Sequence, residues 1–312
     1  MTTYKEIRGT NIEAVASDPS NPVEGQVWYN TTSNTVKANY INPGSWATGG
    51  SLNTARSALA GAGTQTAALA FGGSPPVVAI TESYNGTSWT EVNDMNTARY
   101  RLAGVGTQTA ALVFGGFIPP STAATETWNG TNWTAVNSMN TARHFLAGAG
   151  TNTAALAFGG ESPITAITEL WNGTNWAEVN DLNTARFQLA GCGTQTAALG
   201  FGGYSGPITA NTETWNGTNW TEVNNLNTAR QGLAGAGTNT AALAFGGTPA
   251  PTGNTESWNG TNWTEVGDLG TERYTLAGAG INTSALAFGG SGPTAATEEF
   301  SSGPATVTFD NS

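Results

Sequence analysis

The side chains best suited to acid–base or covalent chemistry are scarce in this sequence and spaced poorly for it. There is one histidine, His144, and one cysteine, Cys192. A Ser/His/Asp triad could draw on a single imidazole, and a zinc or copper centre would lack the several His or Cys ligands it needs. Carboxylates are more numerous, but they recur. Glu82, Glu126, Glu169, Glu213, Glu256 and Glu298 form one series, Glu91, Glu178, Glu222 and Glu265 a second, and Arg56, Arg99, Arg143, Arg186, Arg230 and Arg273 a third. Glycoside hydrolysis needs one pair of carboxyl groups roughly 5 to 10 Å apart, whereas a group present in every copy of a repeat reads as scaffold. The Glu series is therefore expected to pair with the Arg series. Two aromatic series invite a sugar-stacking reading: Tyr84, Trp128, Trp171, Trp215 and Trp258, and Trp89, Trp133, Trp176, Trp220 and Trp263. Their fixed places favour packing instead. No catalytic residue, metal ligand or cofactor is expected.

Charge excludes further classes. Ten Lys and Arg against 21 Asp and Glu give a net charge of -11, which leaves no basic stripe for phosphates, so nucleic acid is not an expected partner. Anionic membrane surfaces are disfavoured for the same reason. The N-terminus, MTTYKEIRGTNIEAV, lacks the apolar core of a secretory signal, and no run of 18 apolar residues occurs, so a soluble chain without membrane insertion is expected. A single cysteine cannot close an intrachain disulfide. Stability must come from packing, and 11 Trp, 7 Tyr and 11 Phe supply the buried surface for it.

The elements that position these residues follow from a repeat. The segment L-N-T-A-R-x-x-L-A-G recurs with its arginines 43 or 44 residues apart, and a Gly-Gly pair follows each, from Gly72-Gly73 to Gly289-Gly290. Six copies span residues 56 to about 300. Within a copy the apolar pattern has period two, and Thr, Trp, Val, Gly and Asn dominate, which predicts strands. Four fit each copy; in the second they are a, 102–106, b, 110–114, c, 124–128, and d, 133–137, joined by G-T-Q/N-T and N-G-T-N/S turns. Four antiparallel strands in about 43 residues make a propeller blade. In strand b of the first copy, Leu69 and Phe71 face one way while Ala68 and Ala70 face the other, so the large face of one blade can stack on the small face of the next.

The sixth copy ends after a c-like segment, Thr297-Glu298-Glu299-Phe300, with no W-T-E-V strand behind it. Residues 42–52, NPGSWATGGSL, align without gaps to 216–226, Trp46 with Trp220. Residues 44 to 50 are therefore predicted to be strand d of the sixth blade, closing the ring and removing its edges. Residues 16–37 read as a Pro-rich approach to a hairpin with strands at 26–30 and 35–39. The organisation expected is an N-terminal attachment module over 1–40, a six-bladed propeller over 41–303 and a tail over 304–312, where the stretch 305–310, ATVTFD, adds an outer strand or meets a partner.

Gly-Gly ending strand b, an aromatic on strand c, a Trp opening strand d and an Arg before strand a resemble kelch repeats over about four fifths of the chain. The resemblance implies an all-β, six-bladed, kelch-like propeller closed by its N-terminal strand. Kelch propellers include a copper oxidase, whose ligand set cannot be assembled here. The phrase P-V-E-G-Q-V-W-Y-N-T-T-S-N-T-V-K resembles short modules of bacteriophage tail-fibre and other virion proteins, and the L-N-T-A-R and A-L-A-F-G-G repeats resemble those of marine phage structural proteins. Both resemblances imply a place on a phage particle, in tail or capsid.

The copies differ in few places. After each Arg stand two unlike residues: Ser57-Ala58, Tyr100-Arg101, His144-Phe145, Phe187-Gln188, Gln231-Gly232 and Tyr274-Thr275. The b–c loops differ as well, with Phe117 and Tyr204 directly after Gly-Gly, while the a–b and c–d turns barely change. Strand alternation puts the d–a and b–c connections on one face of the disc. Two accounts of that variable face stand: drift after duplication, or diversification for recognition on a rigid scaffold. Tyr100, Arg101, His144, Phe145, Phe187, Gln188, Gln231, Tyr274, Phe117 and Tyr204 are the candidate ligand-binding residues. The expected function is noncovalent recognition of a host-surface glycan or protein by a virion adhesin, reinforced by avidity from many copies. The N-terminal module would contact other virion proteins, and self-association on the particle stays open. The alternatives are a capsid or tail decoration protein acting as a spacer, and, third, a polysaccharide-degrading enzyme.

Overall fold

The computed structural model describes residues 12–309, which form two compact units, one of residues 45–301 and one of residues 12–44 with 302–309. Residues 1–11 of the N-terminal segment and Asp310 of the 305–310 stretch lie outside the described residues. Among those described, no helix is long and apolar enough to cross a membrane.

Residues 45–301 form a six-bladed all-β propeller. The second blade is typical: Ala103–Thr107, Ala110–Phe114, Thr125–Trp128 and Trp133–Val136 make a four-stranded antiparallel sheet in the order a-b-c-d. Its c–d hairpin pairs Trp128 with Trp133, and the Asn129 side chain accepts the Thr131 and Asn132 N–H groups at 2.9 and 2.8 Å while Gly130 takes φ 93°. That Asx turn is why W-N-G-T-N-W repeats so closely.

The size alternation on strand b works as expected. Leu69 and Phe71 pack with Ala111 and Val113 of the next blade, and Ala68 and Ala70 pack with Leu286 and Phe288 of the preceding one. The preceding blade's Phe also dictates the small residues of strand a, because a Cβ on Gly61 would lie 2.5 Å from Phe288 Cζ. Each strand-d Trp then reaches back across the seam. Trp133 Nε1 donates to Thr81 Oγ1 at 3.0 Å, Trp176 to Thr125 at 3.1 Å, Trp220 to Thr168 at 3.1 Å and Trp263 to Thr212 at 3.2 Å. Each indole also packs, tilted or edge-on, against the Phe of that neighbour's strand b, as Trp220 does against Phe158 at 4.7 Å. These contacts bury the strand-d series, Trp133, Trp176, Trp220 and Trp263 at 5–6% exposed, and Trp128, Trp171, Trp215 and Trp258 of strand c are at most 2% exposed.

Closure repeats the same chemistry with residues distant in sequence. The strand Thr35–Thr48 lies beside Thr297–Phe309, and Gly49 N–H donates to Thr297 O at 2.9 Å. Trp46 Nε1 donates to Thr255 Oγ1 at 3.0 Å, and its ring lies 5.0 Å from Phe245, just as Trp220 meets Thr168 and Phe158. Trp89 of the first blade completes the circle on Thr297 and Phe288. Every blade thus has a neighbour on both sides.

The smaller unit is organised around Asp18. Trp28, fully buried, donates its indole N–H to Asp18 at 3.0 Å, Asn30 donates at 2.7 Å, and Lys37 forms an ion pair at 2.7 Å. These donors, Lys37 first, hold the Asp18 carboxyl down at about 2. They tie the approach segment to the hairpin of Val27–Asn30 and Thr35–Thr48, whose turn places Asn34 at φ 53°.

Candidate functional site: the mouth of the central channel

The repeated Arg and Glu form buried pairs within each blade. Arg56, Arg99, Arg143, Arg186, Arg230 and Arg273 reach Glu82, Glu126, Glu169, Glu213, Glu256 and Glu298, with N···O distances of 2.5 to 3.1 Å, and both partners are nearly or fully buried throughout. Each Arg leaves the d–a connection, passes over strand b and ends on strand c. The same Glu accepts the backbone N–H of the Asn in the L-N-T-A-R segments, as Glu126 does from Asn96 at 2.7 Å. The Arg carbonyl is used too: Gly116 N–H donates to Arg143 O at 3.0 Å. Gly115 sits at φ 65°, and a Cβ there would lie 2.7 Å from that oxygen, so Gly-Gly and Arg must recur together. Both series are scaffold.

That scaffold delivers the two variable residues after each Arg to the channel mouth. The first joins its own b–c loop by a β-bridge, as in Tyr100 with Phe117, His144 with Glu161 and Phe187 with Tyr204. The second makes a closed ring. Ala58 N–H donates to Thr275 O at 2.8 Å, Arg101 to Ala58 at 2.7 Å, Phe145 to Arg101 at 2.8 Å, Gln188 to Phe145 at 2.9 Å, Gly232 to Gln188 at 2.8 Å and Thr275 to Gly232 at 2.6 Å. All six residues are left-handed, with φ 52°, 57°, 52°, 54°, 63° and 51° in that order. Six backbone bonds therefore circle the axis, and the side chains take no part in them.

Left-handed φ costs a residue bearing a Cβ about 1–2 kcal/mol relative to its usual conformation, and only Gly232 escapes. Replacing Ala58 by Gly is expected to raise stability by about 1 kcal/mol, net of glycine's larger unfolded-state entropy. Urea midpoints of parent and A58G measure this; equal midpoints would mean that the ring position carries no strain.

Beneath the ring lies a collar of Leu59, Leu102, Leu146, Leu189, Leu233 and Leu276, each 5–6% exposed, and below it only Ala, Gly, Val105 and Cys192 line the channel. Burial pushes the Cys192 thiol up to about 12, which removes thiolate chemistry at neutral pH. Among the described residues no three His, Cys, Asp or Glu side chains gather as a metal site would require.

The candidate residues divide into three groups. Tyr100, Arg101, Phe145, Gln188 and Tyr274 line a cavity of about 250 Å³ at the mouth, together with Ser57, Ala58, Ser74, Thr275 and Ser291. Phe117, His144, Phe187 and Tyr204 continue outward as an aromatic belt: Phe117 to His144 at 4.9 Å, His144 to Phe145 at 5.4 Å, Phe145 to Phe187 at 6.1 Å and Phe187 to Tyr204 at 5.4 Å. Gln231 stands apart, bridged to Thr248. His144 is held in the belt by Ser121 Oγ at 2.9 Å and Glu161 at 3.4 Å. Burial outweighs Glu161 and lowers its pKa, so it is chiefly a neutral ring at neutral pH. Arg101 lies over Phe145, Tyr100 and Phe117, its guanidinium carbon 4.5, 4.9 and 5.6 Å from the ring centroids. A choice based on large side chains misses the small cavity lining; Ala58 and Thr275 share the ring position with Arg101, and alignment on the repeated Arg identifies them.

Comparison with the models of known protein families gives no match, and comparison with curated proteins gives none.

Proposed function

We propose that the propeller is a noncatalytic binding protein whose channel mouth recognises a host-surface carbohydrate, and that it does so as part of a phage particle. The observation that carries the binding reading is the mouth ring. Ala, Arg, Phe, Gln and Thr occupy positions where glycine would be more stable, and all five, Ala58, Arg101, Phe145, Gln188 and Thr275, line the cavity. Drift would relax such positions toward Gly or Asn, so side chains kept there against strain are side chains in use. Invariance of the opposite face supports the reading less, since hydrogen bonds account for it: Gln65, Gln108 and Gln195 of the a–b turns donate to carbonyls of the preceding blade. Aromatic faces beside hydroxyl and amide groups suit a sugar ring. The particle location rests on the resemblance of the N-terminal phrase and the repeats to virion proteins.

The test is binding of the purified chain to host cells and to their extracted surface polysaccharide. A variant with Tyr100, Arg101, Phe145, Phe187 and Tyr274 all changed to Ala is expected to lose binding while melting within a few degrees of the parent. Undiminished binding would place recognition elsewhere. A second reading, a decoration or spacer protein, draws on the exposed Tyr40, Ile41, Val307 and Phe309 of the smaller unit, which suit contact with another virion protein. It predicts particle association with no cell binding.

A further inference from the structure

We propose that the mouth selects an anionic sugar residue, a pyranose bearing a carboxylate or sulfate, and that Arg101 is the group that selects it; this rests on the reading of the mouth as a carbohydrate site. The first argument is charge accounting. Among the described residues, Lys37 is paired with Asp18 and six arginines are paired with buried glutamates, which leaves Arg101 as the one cation without a carboxylate partner. In a chain of net charge -11, that cation stands at the centre of the variable face.

The second argument is geometry. The guanidinium is packed over aromatic rings, 4.5 Å from the centroid of Phe145, so its face is covered while its N–H edge is left for a planar or tetrahedral oxyanion. Stacking also strips water from the cation, which makes an anion at that edge worth more than a neutral hydroxyl. The rim carboxylate Glu161 is turned to His144 at 3.4 Å. The adjoining cavity, about 250 Å³, is smaller than the ~300–1,000 Å³ of drug-sized sites and admits one ring-sized group. The hydroxyls of Ser57, Ser74 and Tyr274 and the Gln188 amide stand around it to meet the sugar's own hydroxyls.

The experiment measures binding of the full chain to oligogalacturonate, its carboxyl-reduced counterpart, dextran sulfate and dextran. The variants are R101A, R101G, R101K and the double variant F145A/Y274A. R101G relieves the left-handed strain, so a loss of binding there cannot come from misfolding; its melting temperature is expected at or above the parent's. The parent is expected to prefer at least one anionic probe to its neutral partner by about tenfold or more, the scale of losing one charged hydrogen-bond contact. R101A and R101G should lose the preference, and R101K, which keeps the charge without the fork, should keep part of it. A preference that survives in R101A overturns the assignment of Arg101. Equal binding of charged and neutral probes, weakened only by F145A/Y274A, overturns the anion selectivity and leaves the carbohydrate reading standing. Absence of binding to all four probes and to host polysaccharide overturns both.

Discussion

Replacing Arg186 by Met is expected to destabilise the propeller by about 3–5 kcal/mol, the range for stranding one member of a buried ion pair. The guanidinium is fully buried, its Nη2 3.1 Å from Glu213 Oε1, and Nη1 donates to Asn211 O at 2.8 Å. Burial disfavours its charge and lowers its pKa, with Glu213 the first opposing influence, so the cation depends on that carboxylate. Glu213 holds the d–a connection as well, through the Asn183 N–H at 2.7 Å and the Asn183 amide at 2.8 Å. With Met at 186, those contacts would surround a carboxylate with no counter-charge, and Asn211 O would lose its donor. The double variant R186M/E213L removes both charges and is expected to recover part of the loss, because the cost lies in the unpaired charge more than in the pair. Urea titration of the three proteins decides it. A loss under about 1 kcal/mol for R186M would place the pair among solvated surface bridges, contrary to its burial.

Trp46→Ala is expected to cost about 3 kcal/mol, the low end for removing a packed aromatic, since Trp46 is half-buried where Trp220 is 5% exposed. It would lose the Thr255 hydrogen bond and the faces of Phe245 and Phe300, 5.0 and 5.2 Å away. W220A removes the same set of contacts, but it leaves covalent chain on both sides of the seam. Limited proteolysis separates the two. W46A should become cleavable between residues 42 and 51, where the sixth blade's outer strand is held by noncovalent contacts, while W220A should melt lower without cleavage there. Identical proteolysis of W46A and the parent would show that the last blade does not depend on this indole.

Much of the fold was legible because each seam repeats a contact between residues at constant spacing. Arg and Glu recur in step and pair; Gly-Gly and Arg recur together because one carbonyl occupies the space of a Cβ. The alignment of Trp46 with Trp220 read the closure from side chains alone. Strand lengths at that closure were not legible: Pro43 and Gly44 look like terminators, yet Thr35–Thr48 runs through them. The backbone ring was hidden as well. Arg, Phe, Gln and Thr avoid left-handed φ in local statistics, and here the conformation is imposed by hydrogen bonds to the same position one blade away, which no local window contains. The candidate residues could be found by where the copies differ, but which of them converge on one cavity required the ring.

That ring has an electrical consequence. Each peptide unit carries a dipole of about 3.5 D, and the six N–H to carbonyl bonds run head to tail around the axis, so within the plane of the circle the vectors cancel. The carbonyls are turned along the circumference and not into the bore, which leaves no oxygen cage for a cation and no amide nest for an anion. The polarity of the mouth is therefore written in side chains alone. Exchanging Arg101 for a carboxylate would reverse the sign of charge at that station, and with it the sign of ligand expected on the proposed reading, with the scaffold beneath it unaltered.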